Sequence, residues 1–320
     1  MSYKSDISVI IVNYNTSVHL SECLKSFRKY FPENEIEIIV SDNNSTDGKL
    51  PELVNKFPEV KFFQRDVNDG FPGGCNYGAE RSGCNYLLFV NPDIILKDNS
   101  LIKLKEILES DPSAGIVSGV MINEIDQPIY FYNDFPAFKW EIINILGFGY
   151  EREIQRLVNR REIRENQNFE VDWFHGAFLM MRRSDFKLTG GFNEKYFMYY
   201  EDVEMCYKFK NKFSKRNICI TGIKYYHHTQ ASIDIDKNDD IYIFHINRGK
   251  LLFIQNYKFP ERILIYIAGL TYVITRLIAL PFWNKYKGRK KDKLTQLLKV
   301  LKLYLNINFL NTSKYEYIKK

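Results

Sequence analysis

Five consecutive large apolar residues, Tyr86-Leu87-Leu88-Phe89-Val90, run straight into Asn91-Pro92-Asp93. With Gly83 behind and Pro92 ahead, the run reads as a strand buried on both faces, the kind found in a parallel sheet. In open α/β sheets ligands gather outside the carboxyl ends of the strands, so this strand delivers Asp93 to the place where a charged ligand would be held. A Pro-Asp turn that merely stops a strand would look the same, and Asn-Pro-Asp taken alone favours that blander reading. The neighbouring segments shift the balance.

Two more apolar runs end in polar loops. Ile7 to Val12 stops at Asn13-Tyr14-Asn15, and Thr16 or Ser17 is placed to cap a helix buried through Leu20, Cys23, Leu24 and Phe27. Ile36 to Val40 stops at Ser41-Asp42-Asn43-Asn44-Ser45-Thr46-Asp47-Gly48. A right-handed crossover makes these strands parallel with their carboxyl ends together, so Asn13 and Asp42 should be neighbours. A third strand, Val60 to Gln64, precedes Asn68 to Gly78, which holds four glycines in nine residues. That stretch reads as a loop whose backbone approaches a ligand and which opens onto a helix N-terminus suited to an anion. After Asp93 come a helix from Leu101 to Leu108, capped by Asn99 or Ser100, and a strand from Gly115 to Met121.

The second half is more mixed. Residues 129 to 168 begin aromatic and turn densely charged from Glu151 to Glu165, either an insertion beside the second substrate or a solvated helix over a core patch. Val171 to Met181 returns to strand character, with Gly176-Ala177 leaving room for something bulky, and Gly190 to Glu194 forms a turn. Glu201-Asp202 open a helix directly behind Phe197-Met198-Tyr199-Tyr200. Acidic residues in a first turn complement the helix dipole, which is a structural role. The aromatic flank argues for more, because a partly desolvated carboxyl is raised toward a pKa useful for taking a proton. Past a strand from Ile218 to Ile223 stand His227 and His228: one core and one surface residue, or one of them completing a metal site with Asp93.

Taken in order and spacing, Val9 to Thr16, Ser41 to Gly48, Asn68 to Gly78, Asn91-Pro92-Asp93, Gly176-Ala177, Gly190-Gly191-Phe192 and Glu201-Asp202 resemble family 2 glycosyltransferases of the GT-A fold. The likeness runs over residues 6 to 256 and is strongest to rhamnosyltransferase-like bacterial enzymes that build surface polysaccharides. It implies an α/β fold with a mostly parallel central sheet flanked by helices and a C-terminal helical extension. Residues 1–256 would form the transferase domain, with a nucleotide half to about 97 and an acceptor half from about 98, and 257–320 a separate segment. The implied activity is inverting transfer of a sugar, in the nearest likeness rhamnose, from a dTDP- or UDP-linked donor to a hydroxyl of a lipid-linked glycan. By position, Asp42 would hydrogen-bond the base, with Asn13, Tyr14 and Asn43 beside the nucleotide. Asn68, Gly70, Gly74 and Asn76 would back ribose and phosphate, with Asn91 close by. Asp93 would hold Mg²⁺ or Mn²⁺ together with His227, which is followed by Ser232 as in the family, or with His228. Asp202 takes the general-base position and Glu201 orients the acceptor. Trp173, Gly176 and Ala177 would line the sugar pocket, where His175 departs from the expected small residue. A nucleotidyltransferase would need a basic glycine-rich loop after the first strand, which Asn13-Tyr14-Asn15-Thr16 is not. An idle nucleotide-sugar-binding partner of an assembly complex is the remaining alternative.

Of 320 residues 45% are apolar, enough for a large core, and the net charge of +6 is uneven. Lys285, Lys287, Arg289, Lys290, Lys291 and Lys293 crowd behind an apolar stretch, Ile263 to Trp283, long enough to span a bilayer. This pattern suggests a helix or hairpin seated in the interface of the inner membrane's cytoplasmic face; a cover for the catalytic domain or a homo-oligomer contact would use the same residues. Leu294, Leu297, Leu298, Leu301 and Leu305 share one face of a second amphipathic helix. Cations behind an apolar helix, without exposed aromatics on a sheet, do not suit nucleic acid. Five cysteines with no CxxC spacing read as reduced thiols, and the N-terminal apolar run is too short for a signal peptide, so the catalytic part should be cytoplasmic.

Overall fold

The computed structural model describes residues 3–146, 161–228, 235–283 and 288–306. Ser232, most of the charged stretch from Glu151, and Lys285 and Lys287 therefore lie outside the described residues. Two compact units emerge. The first runs to Phe135 and takes up 161–228; the second starts at Pro136 and takes up 235 onward. The division thus falls earlier than residue 256, and 136–146 belongs with the C-terminal helices.

In the first unit β1 (Ile7–Asn13), β2 (Glu37–Asp42), β3 (Lys61–Gln64) and β4 (Tyr86–Val90) form a parallel block in the order β3-β2-β1-β4. Its connections are α1 (Ser17–Tyr30), α2 (Leu50–Lys56) and α3 (Phe71–Glu80). The unbroken apolar runs are the reason: all of β1 and β2 is buried, and so is β4 beyond Tyr86. Past Asp93 come β5 (Ile94–Leu96), α4 (Leu101–Ser110) and β6 (Ala114–Ile122). The stretch expected as one strand from Val171 is three: β8 (Phe169–Val171), β9 (Trp173–Phe174), paired with β7 (Tyr132–Asn133), and β10 (Phe178–Arg182). Of these β9 stands outside the main sheet, β8 joins it at β11, and β10 lies within it, antiparallel to β4 on one side and β6 on the other. After α5 (Phe138–Leu146) of the second unit and α6 (Arg161–Arg164), the chain of the first unit closes with α7 (Arg183–Leu188), α8 (Glu201–Tyr207) and β11 (Arg216–His227). Strand β11 is parallel to β6 and antiparallel to β5 and β8. Among the described residues this makes a nine-stranded mixed sheet, parallel in its N-terminal block.

The glycine-rich stretch is mostly helix, not loop. Gly70 is the last residue outside α3, at φ 93°, and Pro72 sits in the first turn, where its missing N–H costs nothing. The later glycines serve packing: a Cβ on Gly74 would lie 2.6 Å from Val12 Cγ1, and one on Gly78 2.6 Å from Ile10 Cγ2. Thr16, expected to cap α1, instead gives its hydroxyl to Asn13 Oδ1 at 2.7 Å.

In the second unit α9 (Ile235–Phe253), α10 (Phe259–Ala279) and α11 (Lys290–Asn306) assemble with α5. Lys250 pairs with the buried Glu141 at 3.0 Å, and Tyr257 donates to Pro136 O at 2.7 Å, which is why 136–146 joins this unit.

Gly78→Ala should overpack the α3–β1 contact and destabilise the protein by about 1–3 kcal/mol in urea melts. Gly83→Ala, whose Cβ would meet nothing closer than 3.6 Å, should be neutral by the same measurement.

Candidate active site

Strand direction assembles the site. β1, β2 and β4 are parallel, β10 is antiparallel to β4, and β6 and β11 run with β4 again. The carboxyl ends of β1, β2, β4 and β11 and the amino end of β10 therefore share one edge. Asn13, Asp42, Asp93, His227 and Gly176-Ala177 all stand there.

Asn91-Pro92-Asp93 turns the chain from β4 into β5, with Ile94 N–H on Asn91 O at 3.2 Å. The β5–β11 register sets His227 opposite Ile94, and His228 N–H donates to Asp93 O at 3.1 Å. This brings His227 Nε2 to 3.1 Å from Asp93 Oδ1. The His228 ring is turned elsewhere, its Nδ1 3.1 Å from the Tyr226 hydroxyl and its centroid 5.7 Å from that of His19. Of the two adjacent histidines, His227 is the one on the carboxylate. Asp93 is 2% exposed, and both its Oδ1 and His227 Nδ1 are buried without a hydrogen-bond partner. No third His, Cys, Asp or Glu joins them among the described residues. Two protein donors with unsatisfied atoms still fit a divalent cation shared with a diphosphate, because Mg²⁺ is typically held through one or two protein ligands, substrate phosphates and water.

Asp202 lies in the first turn of α8. Its Oδ2 accepts the Gly176 N–H and its Oδ1 the Val203 N–H, each at 2.8 Å. A Cβ on Gly176 would come within 3.3 Å of Asp202 Cβ, so the glycine permits this approach. The next residue, Ala177, accepts the Asn91 N–H at 3.0 Å. One dipeptide thus joins Asp202 to the turn that carries Asp93. Burial pushes the Asp202 carboxyl up to about 6, the backbone donors only partly offsetting it. Burial, and then the Asp202 charge, hold Glu201 well above the usual carboxylate range, and its Oε2 has no hydrogen-bond partner. Tyr199 and Tyr200 enter the helix at φ 67° and 75°, a left-handed conformation unfavourable for bulky side chains.

Trp173 stacks on His175 with centroids 5.7 Å apart and planes 9° from parallel, and Tyr130 meets His175 edge-on at 5.0 Å. Burial lowers the His175 pKa to about 4, His227 adding to the effect, so its ring is neutral. Tyr130 had no motif to announce it; the only signal was the aromatic crowding after Ile129.

On the nucleotide side the expected residues are tied closely into the fold. Asp42 is fully buried, its Oδ2 accepting from Asn13 Nδ2 (2.6 Å) and Ser45 Oγ (2.7 Å) and its Oδ1 from Ser45 N (2.8 Å). These bonds brace the loop that follows β2. Asn43 is likewise committed, donating to Gly70 O at 2.8 Å and accepting from Arg65 at 2.9 Å, while Asn68 Oδ1 takes the Gly70 N–H at 3.0 Å. Gly70 is needed by the chain itself, since a Cβ would lie 2.1 Å from Phe197 O. Gly74 is packed under Val12, and Asn76 holds the 190–194 turn through Phe192 O and Glu194 at 2.8 Å. Tyr14 remains exposed at this edge.

Residues 8–189, more than half of the sequence, match the family described as glycosyl transferase family 2. The chain belongs to that family. An N-acetylglucosaminyl-diphospho-decaprenol L-rhamnosyltransferase of Mycobacterium tuberculosis is 28% identical over 212 residues, 62% of this glycosyltransferase and 68% of the relative. Rhamnosyltransferase WbbL of Escherichia coli is 26% identical over 212 residues, covering 62% and 75%. The fold is that of a mannosyltransferase from Pyrobaculum calidifontis solved with GDP-Man and Mn²⁺: TM-score 0.59, 15% identity, 94% of this chain and 87% of that one. A Staphylococcus aureus TarS fragment solved with UDP-GlcNAc gives a TM-score of 0.53 at 17% identity, covering 94% and 82%. The fold class is therefore GT-A and the activity class glycosyl transfer.

Asp202 accepts a proton only when ionised. With its pKa raised to about 6, transfer activity should climb with pH through about 6 and level off above, and Asp202→Asn should lose about 10²–10⁴ of kcat with the pH step gone. A pH–rate profile of both proteins checks this.

Proposed function

We propose that this glycosyltransferase moves a sugar, rhamnose by its likeness to the rhamnosyltransferases above, from a dTDP- or UDP-linked donor to a hydroxyl of a lipid-linked glycan, with inversion, at the cytoplasmic face of the inner membrane. The supporting observation is the linkage of the half-buried Asp202 to the Asp93–His227 pair through Gly176-Ala177. The M. tuberculosis relative, named for a diphospho-decaprenol-linked acceptor, supports the acceptor class.

Asp202 Oδ takes the proton from the acceptor hydroxyl. The freed oxygen attacks the anomeric carbon from the face opposite the diphosphate; its carbon–oxygen bond to phosphate breaks, and the nucleoside diphosphate carries off the electron pair. A single in-line displacement of this kind inverts the anomeric centre. Glu201, largely protonated beside Asp202, offers a hydrogen bond to orient the acceptor. Asp93 and His227 would hold a divalent cation, which when bound neutralises charge on the leaving diphosphate. Tyr14 is the open residue for the base, on a loop braced by Asp42 and Asn13. Trp173 and His175 form an apolar plate for a sugar face, where a deoxy sugar would sit more favourably than one bearing every hydroxyl.

A panel of nucleotide sugars with Mn²⁺, read by thermal shift and donor hydrolysis, tests the reading. One dTDP- or UDP-sugar should raise the melting temperature and be hydrolysed; a raised melting temperature without hydrolysis would favour the idle-partner role, and silence across the panel would overturn both. EDTA should abolish hydrolysis, and Asp93→Asn or His227→Ala should lower it by about a hundredfold or more.

A further inference from the structure

We propose that α10 lies along a bilayer surface, seating one apolar stripe among anionic lipids, and does not cross the membrane. The helix from Phe259 to Phe282 is long and apolar enough to span; its twenty-one α-helical residues rise about 30 Å, the thickness of a hydrocarbon core. Its packing is that of a helix already fastened on one side. Ile265, Ala268 and Val273 are buried in the second unit. Tyr266 donates to Tyr304 O at 2.7 Å and Arg276 to Asn144 O at 2.8 Å. Gly269 lets Tyr304 come so near that a Cβ would sit 2.4 Å from its hydroxyl. A spanning helix at this place would carry those polar partners and the Arg276 charge into hydrocarbon, at a cost of several kcal/mol.

Among the described residues nothing covers the opposite face. Leu264, Ile267, Thr271, Ile274 and Ile278 recur at spacings of three and four and are all exposed, and Phe282 beyond them is 82% exposed. Such a stripe on one side, with a packed and polar-fastened face on the other, is the pattern of a helix that floats in the headgroup boundary. Charge says which surface it fits. The Lys290 ammonium rests on Pro281 O, which brings the start of α11, with Arg289, Lys290 and Lys291, to the end of the stripe. Cations beside an apolar strip complement anionic headgroups, at about 1 kcal/mol each near the surface. The proposal depends on the lipid-linked acceptor only for its purpose; vesicle binding is read without donor or transfer, so either reading can fail alone.

The test is flotation of the full chain with phosphatidylcholine vesicles, with and without phosphatidylglycerol. The protein should rise with the anionic vesicles and be released as salt is raised. Ile267→Glu with Ile274→Glu should weaken vesicle affinity by at least about tenfold, and Arg289→Gln with Lys291→Gln should remove the preference for phosphatidylglycerol. Thermal melts matched to the unsubstituted chain show that each variant folds; should the glutamate pair unfold it, Ile278→Glu and the glutamine pair carry the test. Failure of the native chain to float, or flotation of every variant alike, would overturn the proposal. So would sedimentation as a dimer that the glutamate pair splits, since a second copy would then cover the stripe.

Discussion

The constraint on which the catalytic unit turns is the desolvation of one carboxylate. Asp202 is half-buried and accepts from two backbone N–H groups, few enough for desolvation to dominate its protonation. A cationic partner would instead have held it ionised. The surroundings serve the same end: an aromatic approach through two left-handed tyrosines, a neighbouring carboxyl that burial keeps largely protonated, and a glycine whose missing side chain admits the carboxylate. The cost is borne by the fold. Because burial raises both carboxyls, each gives a stabilising contribution that is complete at acid pH and is lost as pH rises through its own folded-state value, about 6 for Asp202.

The Asp93–His227 pair follows the opposite logic. Its atoms are buried, adjacent and incompletely satisfied, and buried polar groups left in that condition are uncommon unless something else is meant to complete them. The adjoining ladder explains the choice of histidine. Neighbouring residues in a strand point to opposite faces, so once His227 turns to the carboxylate, His228 must turn to Tyr226 and His19.

Much of this was legible in the sequence, for reasons that can be named. Apolar runs that end on polar residues gave β1, β2 and β4, and crossover handedness put Asn13 beside Asp42, where the structure has them 2.6 Å apart. What could not be read was the use made of small and polar residues. Glycine has a low helix propensity, so Gly73, Gly74 and Gly78 pointed to a loop; the space available under Val12 and Ile10 overrode propensity. The bonds that Asn13 and Ser45 give to Asp42 could not be read either, since no periodicity encodes the orientation of those side chains. Likewise the division of the chain near 235 follows from Lys250 reaching Glu141, a pairing across more than a hundred residues.

The reversed direction of β10 has a consequence for biosynthesis. Strands β4 and β6 share no hydrogen bonds with each other, and Phe178–Arg182 is the piece that joins them. A nascent chain that has emerged only as far as β6 carries two bare apolar edges facing the same gap, open templates for pairing with other chains. The loop that must close to fill the gap is long, so its entropy is spent before any contact repays it. Insertion of that single strand therefore ends the period of greatest risk, and in the same event brings Gly176-Ala177 to its place.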